Sequence, residues 1–125
     1  MSDELRLWAV RGAVKADANE ADAILGATES LMRELMSRNE LTVDRIVSCL
    51  FTATDDLNAE FPAVAARRLG LDTVPLLCTR ELDVPGAMSS VIRVLVHYHA
   101  PADHVPLHTY LGETQGLRTD LHSAQ

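Results

Sequence analysis

VIRVLVHYH, residues 91–99, is the strongest strand signal in the chain: β-branched and aromatic residues follow one another with a single interruption. That interruption is Arg93, set among residues that otherwise all belong in a core. A guanidinium is tolerated in such a place only when an anion meets it, and its planar fork suits a carboxylate in two-point contact. The anion is either internal, with Glu81 on another strand as the candidate, or a bound ligand. Arg11, at the end of a second apolar run, poses the same question. Two strand arginines in one small acidic chain favour a ligand that carries carboxylates.

The elements fall into place around this strand. Upstream, VPLLCTREL (residues 74–82) reads as a strand ended by the break at Pro85 and Gly86, and RIVSCLFTAT (residues 45–54) as a central strand. LRLWAVRGAV (residues 5–14) reads as a buried first strand closed by its glycine. Asn19, followed three residues later by Asp22, predicts the start of the longest helix, in which Ile24, Leu25, Leu31, Met32, Leu35 and Met36 recur at helical spacing. That helix stops near Asn39, and Thr42 opens a short turn. Pro62 suits a first helical position and Gly70 the residue just past a helix end, so residues 63–69 form a short helix. Downstream, Pro101 and Pro106 bracket a connection to HTYL, residues 108–111, a last short strand before a glycine-containing tail. The order β-α-β-α-β-β-β predicts an α+β, α/β-like fold: a mixed sheet of about five strands with helices on one face.

Composition bounds the function. A chain of 125 residues with 47% apolar and 23% charged residues is expected to form one domain spanning residues 1–125. Burial of surface between sister subunits would help so short a chain. A net charge of −7 repels phosphate backbones and anionic membranes, so neither nucleic acid nor a membrane is an expected partner. Cys49 and Cys78 sit in apolar runs, which suits a reducing compartment, and the start MSDELRL has no basic segment followed by an apolar stretch. A cytoplasmic protein is expected.

His97 and His99 share a strand face, with His104 and His108 close behind, but they lack the spacing and the partners of a zinc site. Hydrogen-bonded or solvated histidines are expected, and no metal. Cys78 has no glycine-rich turn, helix start or placed histidine to activate it, and reads as a core or wall thiol. GxxxxGK[ST], GxGxxG, GxSxG and HExxH are all missing, so phosphate loops, dinucleotide sites and serine or zinc hydrolases have no support.

WAVRGA around Arg11, TATDDLNAEFPAVAARRLG at residues 52–70, VPLLCTRELDVPG at 74–86, VIRVLV around Arg93 and TYL around Tyr110 occur in that order. Together they resemble the monofunctional trimeric chorismate mutases over nearly the whole chain. The resemblance implies a homotrimer forming a pseudo-α/β barrel, with a site in each cleft between subunits where chorismate becomes prephenate without a cofactor. It makes Arg93 the residue that meets the breaking ether oxygen and a carboxylate. Arg11 and Tyr110 hold the enolpyruvyl carboxylate, and Cys78 and Glu81 face the ring hydroxyl from the same side of the cleft. Leu77 acts through its backbone, with Thr79 and Arg80 beside it in the substrate-binding set. Phe61, Ala63 and Arg67 form the wall given by the neighbouring subunit, and Leu117 and Arg118 belong to a tail, residues 112–125, that closes over the site.

The chain departs from the family at the rim. Val64 stands where relatives carry a lysine, which removes a cation near the mouth. Thr119 stands where a proline is common, with Gly116 before it, which loosens the lid. On this account the Arg93 guanidinium is expected to lie unneutralised by its own chain beside an open intersubunit pocket. Three other readings stand beside it. One is an enamine or imine deaminase on a similar barrel, whose water chemistry would depend on pH. Another is a non-catalytic trimer that binds carboxylate metabolites. The third is a purely structural protein, in which Arg93 and Glu81 pair with each other and no cleft opens beside them. The roles of Trp8 and of the histidines are left open.

Overall fold

In the computed structural model, residues 4–117 are described. The elements are β1 (Leu5–Lys15), α1 (Ala21–Arg38), β2 (Ile46–Ala53), α2 (Ala63–Arg68), β3 (Leu76–Arg80), β4 (Val91–Pro101) and β5 (Thr109–Tyr110), with short 3₁₀ turns at Val43–Arg45 and Gly112–Gly116. The five strands form one mixed sheet in the order β3-β2-β4-β1-β5. β4 is antiparallel to both β1 and β2, whereas β3 and β5 run parallel to β2 and β1. The expected architecture and element order hold. β2, expected as a central strand, is interior, between β3 and β4, and β4 stands in the middle of the sheet.

Both helices lie on one face. α1 buries Ile24, Leu25, Thr28, Leu31, Met32 and Leu35, a stripe at helical spacing, and Asp22 and Arg38 suit the two ends of its dipole. Most of these side chains pack with Val10, Val14, Phe51, Ile92, Val94, Val96 and Tyr98 from the sheet, and with Ala63 and Ala66 of α2, in a single core. Gly70 follows α2 at φ 102°, the left-handed conformation that glycine adopts without cost.

Two boundaries differ from expectation. Asn19 does not cap α1: Glu20 precedes the helix with no side-chain cap. The Asn19 Oδ1 instead accepts the backbone N–H groups of Asn58 and Ala59 at 2.9 and 3.0 Å, and its Nδ2 donates to Asn58 Oδ1 at 2.8 Å. It thereby holds the loop that leads into α2, a long-range task that local spacing does not reveal. Gly12 does not end β1, which runs on to Lys15. It marks the place where α1 and β5 come closest to the strand: a Cβ there would lie 2.9 Å from Thr109 O and 3.0 and 3.1 Å from Leu31 Cδ1 and Leu35 Cδ1.

At the C-terminal end of α1, Asn39 is buried at 3% exposure. Its amide donates to Leu35 O at 2.9 Å and Leu107 O at 3.0 Å, and its Oδ1 accepts the Leu107 N–H at 2.7 Å. These bonds fix the chain two residues before β5. Beyond β5, the buried Thr114 hydroxyl lies 3.0 Å from Ala13 O and 2.6 Å from Leu111 O, and the Leu111 N–H donates to Ala13 O at 3.0 Å. The start of the tail is therefore tied to β1.

His104 lies against the far end of the sheet, 2.7 Å from the buried Tyr98 hydroxyl and edge-on to Trp8, whose indole donates to Ala100 O and Pro101 O. Burial holds its pKa below the ordinary 6.5, while Glu40 and Asp103 pull the other way. The fold thus favours the neutral ring, so this contribution to stability is present above pH 6.5 and is lost as pH falls through the lower folded value. The Tm is expected to drop between pH 7.5 and pH 5, and to drop less in His104→Gln; equal drops in thermal melts would exclude His104 as a source.

Candidate active site

Cross-strand partners point to the same side of a sheet. Register therefore places Tyr110, Ala13, Arg93, Thr52 and Thr79 in one row across all five strands, on the face away from the helices. Two residues along, Arg11, Leu95, Leu50 and Leu77 form a second row on that face. Arg93 and Arg11 are then diagonal neighbours on adjacent strands, with Cα atoms on the order of 7–8 Å apart. The alternation that sends Ile92, Val94 and Val96 into the core sends Arg93 outward, which explains how VIRVLV carries a charge. The same face exposes Leu7 at 61%, Leu50 at 37% and Leu77 at 59%, an apolar surface that a lone chain leaves wet.

Arg93 has an internal acid, contrary to the expectation that its own chain leaves it unneutralised. Its Nε lies 2.8 Å from Glu81 Oε1, with the two side chains 30% and 15% exposed. Glu81 reaches Arg93 because its backbone N–H continues the β3 ladder onto Ala53 O at 3.0 Å, which keeps the alternation and turns its side chain to the arginine face. The contact is close but poorly directed. Nε forms no hydrogen bond, and it is buried without a partner together with Glu81 Oε2 and Thr52 Oγ1. Coulomb attraction therefore acts between the two groups while hydrogen-bonding capacity on both stays unused, so the pair is neither the free cation of one expectation nor the closed structural bridge of the other. Among the described residues Arg11 has no carboxylate within salt-bridge distance. Its backbone N–H donates to His108 Nδ1 at 3.0 Å.

Tyr110 is buried at 5% exposure in a small cluster with Ala13 and Val91, and Leu117 and Met88 pack against that cluster. Leu117 is thus brought to the Tyr110 end of the arginine face; Arg118 lies outside the described residues. The loops at the start of β4 are fixed by Asp56, which accepts the Ser90 N–H at 3.0 Å and the Ser90 hydroxyl at 3.1 Å and is also bonded by Thr54. The Thr54 hydroxyl, opposed by partial burial and helped by Ser90, holds the Asp56 carboxyl below its ordinary 3.8. Ser90 sits at φ 59°, a strained conformation for a residue with a Cβ, directly before Val91.

The remaining candidates stand elsewhere. Because Leu77 and Thr79 share the arginine face, Cys78 between them points the other way and packs against the helix-side core. It lines a cleft of about 370 Å³ with Phe61, Pro62, Thr79 and Arg80. Within one chain Cys78 therefore shares a cleft with Phe61 rather than a face with Arg93. Phe61 is 66% exposed at the mouth of that cleft, and Ala63 is buried in the core. Arg67 is exposed on the outer side of α2. Thr79 belongs to the arginine row and also lines this cleft, so the two surfaces meet at the edge strand β3. Burial pushes the Cys49 thiol up to about 12, an inert core group. His97 lies 3.4 Å from Ser48 Oγ, and among the described residues no helix is long and apolar enough to cross a membrane.

Thr52 was not among the sequence candidates. A threonine in FTAT reads as an ordinary strand former, and only the pairing register puts it beside Arg93. Asp56 was not a sequence candidate either, because its hold on Ser90 spans a separation of 34 residues that no local pattern marks.

Known proteins provide an independent comparison. The family model for chorismate mutase type I matches residues 7–121. The chain is 41% identical over 119 residues to chorismate mutase AroH of Thermus thermophilus, covering 93% of this chain and 97% of that one. It is 36% identical over 115 residues to chorismate mutase AroH of Bacillus subtilis, covering 90% of each. Its fold is similar to a solved chorismate mutase from Clostridium thermocellum, with a TM-score of 0.82, 40% identity, and coverage of 87% of this chain and 98% of that one. Matched nearly from end to end in sequence and in fold, the chain belongs to the chorismate mutase type I family.

Proposed function

We propose that this chain is a cytoplasmic, cofactor-free isomerase that converts chorismate to prephenate as a homotrimer, with each site assembled between two subunits. The observation that carries the reading is the row on the open sheet face: two arginines as diagonal neighbours, one acid beside the first, and three buried polar atoms around that pair still lacking partners. Buried polar groups left unsatisfied in a lone chain call for a ligand, a neighbour or water. Exposed Leu7, Leu50 and Leu77 beside the arginines supply the apolar surface that a second subunit would cover. The split between the arginine face and the Cys78–Phe61 cleft supports a site to which both sides contribute.

The rearrangement needs neither a nucleophile nor a proton transfer. As the ether bond lengthens, negative charge gathers on its oxygen, and the fixed Arg93 guanidinium stabilises that charge more in the transition state than in the ground state. Arg11 and Tyr110 hold the enolpyruvyl carboxylate, so that the extended substrate is kept in its folded, reactive conformer. Glu81 accepts the hydrogen bond of the ring hydroxyl, and it also offsets the crowding of two cations. Leu117, which follows the anchored Thr114, packs against the Tyr110 cluster, and residues 118–125 of the tail expected to cover the site lie outside the described residues.

The direct test is the loss of chorismate absorbance when the purified protein is added. Turnover supports the reading; tight binding without turnover would favour a metabolite-binding trimer, and no binding would reject both. The rate is expected to stay nearly flat between about pH 6 and 9, since no group must change protonation during the step. A steep bell would favour the acid–base chemistry of a deaminase. Dialysis against EDTA is expected to leave the rate unchanged.

A further inference from the structure

We propose that Thr52 is a positioning residue for the Arg93–Glu81 pair, its hydroxyl accepting the Arg93 Nε–H and donating to Glu81 Oε2 once substrate is bound. The inference rests on the proposed role of Arg93 and is argued from the geometry of three strands. Arg93 stands on β4 and Glu81 on the extension of β3, with β2 between them in the sheet. The pair must therefore cross over β2. Thr52 is the β2 residue in register with Arg93 on one side and with Thr79, two residues before Glu81, on the other. Its side chain lies on the same face, beneath the crossing.

The buried polar atoms without partners, among the described residues, are Thr52 Oγ1, Glu81 Oε2 and Arg93 Nε. Their chemistry is complementary. Nε–H is a donor, a carboxylate oxygen is an acceptor, and a hydroxyl is both at once. A single threonine hydroxyl is thus the smallest group that satisfies all three, whereas direct Nε–Oε1 proximity satisfies none of them. Glu81 Oε1 crowds Nε from a direction its N–H does not follow. When Glu81 turns to accept the substrate's ring hydroxyl, Nε is released toward Oγ1. That bond fixes rotation about the guanidinium and aims the two Nη groups at the breaking ether oxygen. A buried bond to a charged group is the kind of contact whose loss is felt strongly.

Thr52→Val keeps the shape and removes the hydroxyl, whereas Thr52→Ser keeps the hydroxyl. The expected result is a fall in kcat of about tenfold in Thr52→Val. KM should be little changed and Tm unchanged or higher, because a buried hydroxyl without a partner has been removed. Thr52→Ser is expected to stay within about twofold of wild type in kcat on the same scale. A merely structural threonine would show the opposite: unchanged kcat in Thr52→Val, or equal losses in both variants that track a lowered Tm. Either pattern overturns the proposal. Wild-type protein that fails to turn over chorismate would overturn the function itself, whereas an active wild type beside an equally active Thr52→Val overturns only the role of Thr52.

Discussion

Arg93→Lys is expected to lower kcat for chorismate rearrangement by about 10²- to 10³-fold while the protein stays folded. Lysine keeps the positive charge, so the 2.8 Å approach to Glu81 is replaced by another ion pair and the acid is not left buried alone. What lysine lacks is the planar fork. A guanidinium can meet Glu81 or Thr52 through Nε and still present both Nη groups to a substrate, whereas an ammonium is a single point that must choose. Because the charge on the ether oxygen develops only in the transition state, the loss belongs in kcat more than in KM. Arg93→Ala is expected to be slower still, but it strands Glu81 and lowers Tm, so the lysine variant is the cleaner measurement. Steady-state kinetics near wild type for Arg93→Lys, with an unshifted melt, would remove Arg93 from the reacting centre.

The same residue shows what was legible in the sequence. A charge inside VIRVLV calls for an anion to meet it, and the structure puts Arg93 beside Glu81 with core residues on either side of it along the chain. Elements read from long periodic runs, such as β1, α1 and β4, were placed to within a few residues because burial of a stripe or of alternate residues is written locally. Asn19 and Gly12 were misread for the opposite reason. Asn19 bonds a loop 39 and 40 residues away, and Gly12 is small because of Thr109 and Leu31, neither of which is near it in sequence. The Arg93–Glu81 approach was legible as a possibility, since both residues lay on predicted strands. Its strength was not, because that depends on the angle of one N–H. Thr52 was invisible for a similar reason: a residue between two charges across three strands is defined by register, and register follows from the whole sheet.

Gly12→Val is expected to abolish most activity and to lower Tm, because position 12 is where β1, β5 and α1 meet. Even alanine is too large there. Its Cβ would stand 2.9 Å from Thr109 O, a backbone atom that cannot rotate away, and 3.0 and 3.1 Å from the Leu31 and Leu35 methyl groups. Overpacking of this kind costs about 1–3 kcal/mol, which lowers Tm by roughly 5–15 °C in a domain of this size. The valine side chain adds two methyl groups aimed at the same helix and widens the displacement. β5 is the element that gives way, since it pairs with β1 only through Gly12–Thr109 and Ala13–Tyr110. Moving it carries Tyr110 away from Arg11, so substrate binding is expected to weaken together with kcat rather than after it. Gly26 in α1 provides the control: nothing lies within 4 Å of a Cβ there. Gly26→Ala is therefore expected to raise stability by about 0.5–1 kcal/mol through helix propensity alone, with activity unchanged. Thermal melts and kinetics on the two alanine variants separate the cases. If Gly12→Ala melts with wild type, the close approach of β5 to β1 does not hold Tyr110 in place, and the tyrosine's position must depend on the Asn39–Leu107 and Thr114–Ala13 bonds instead.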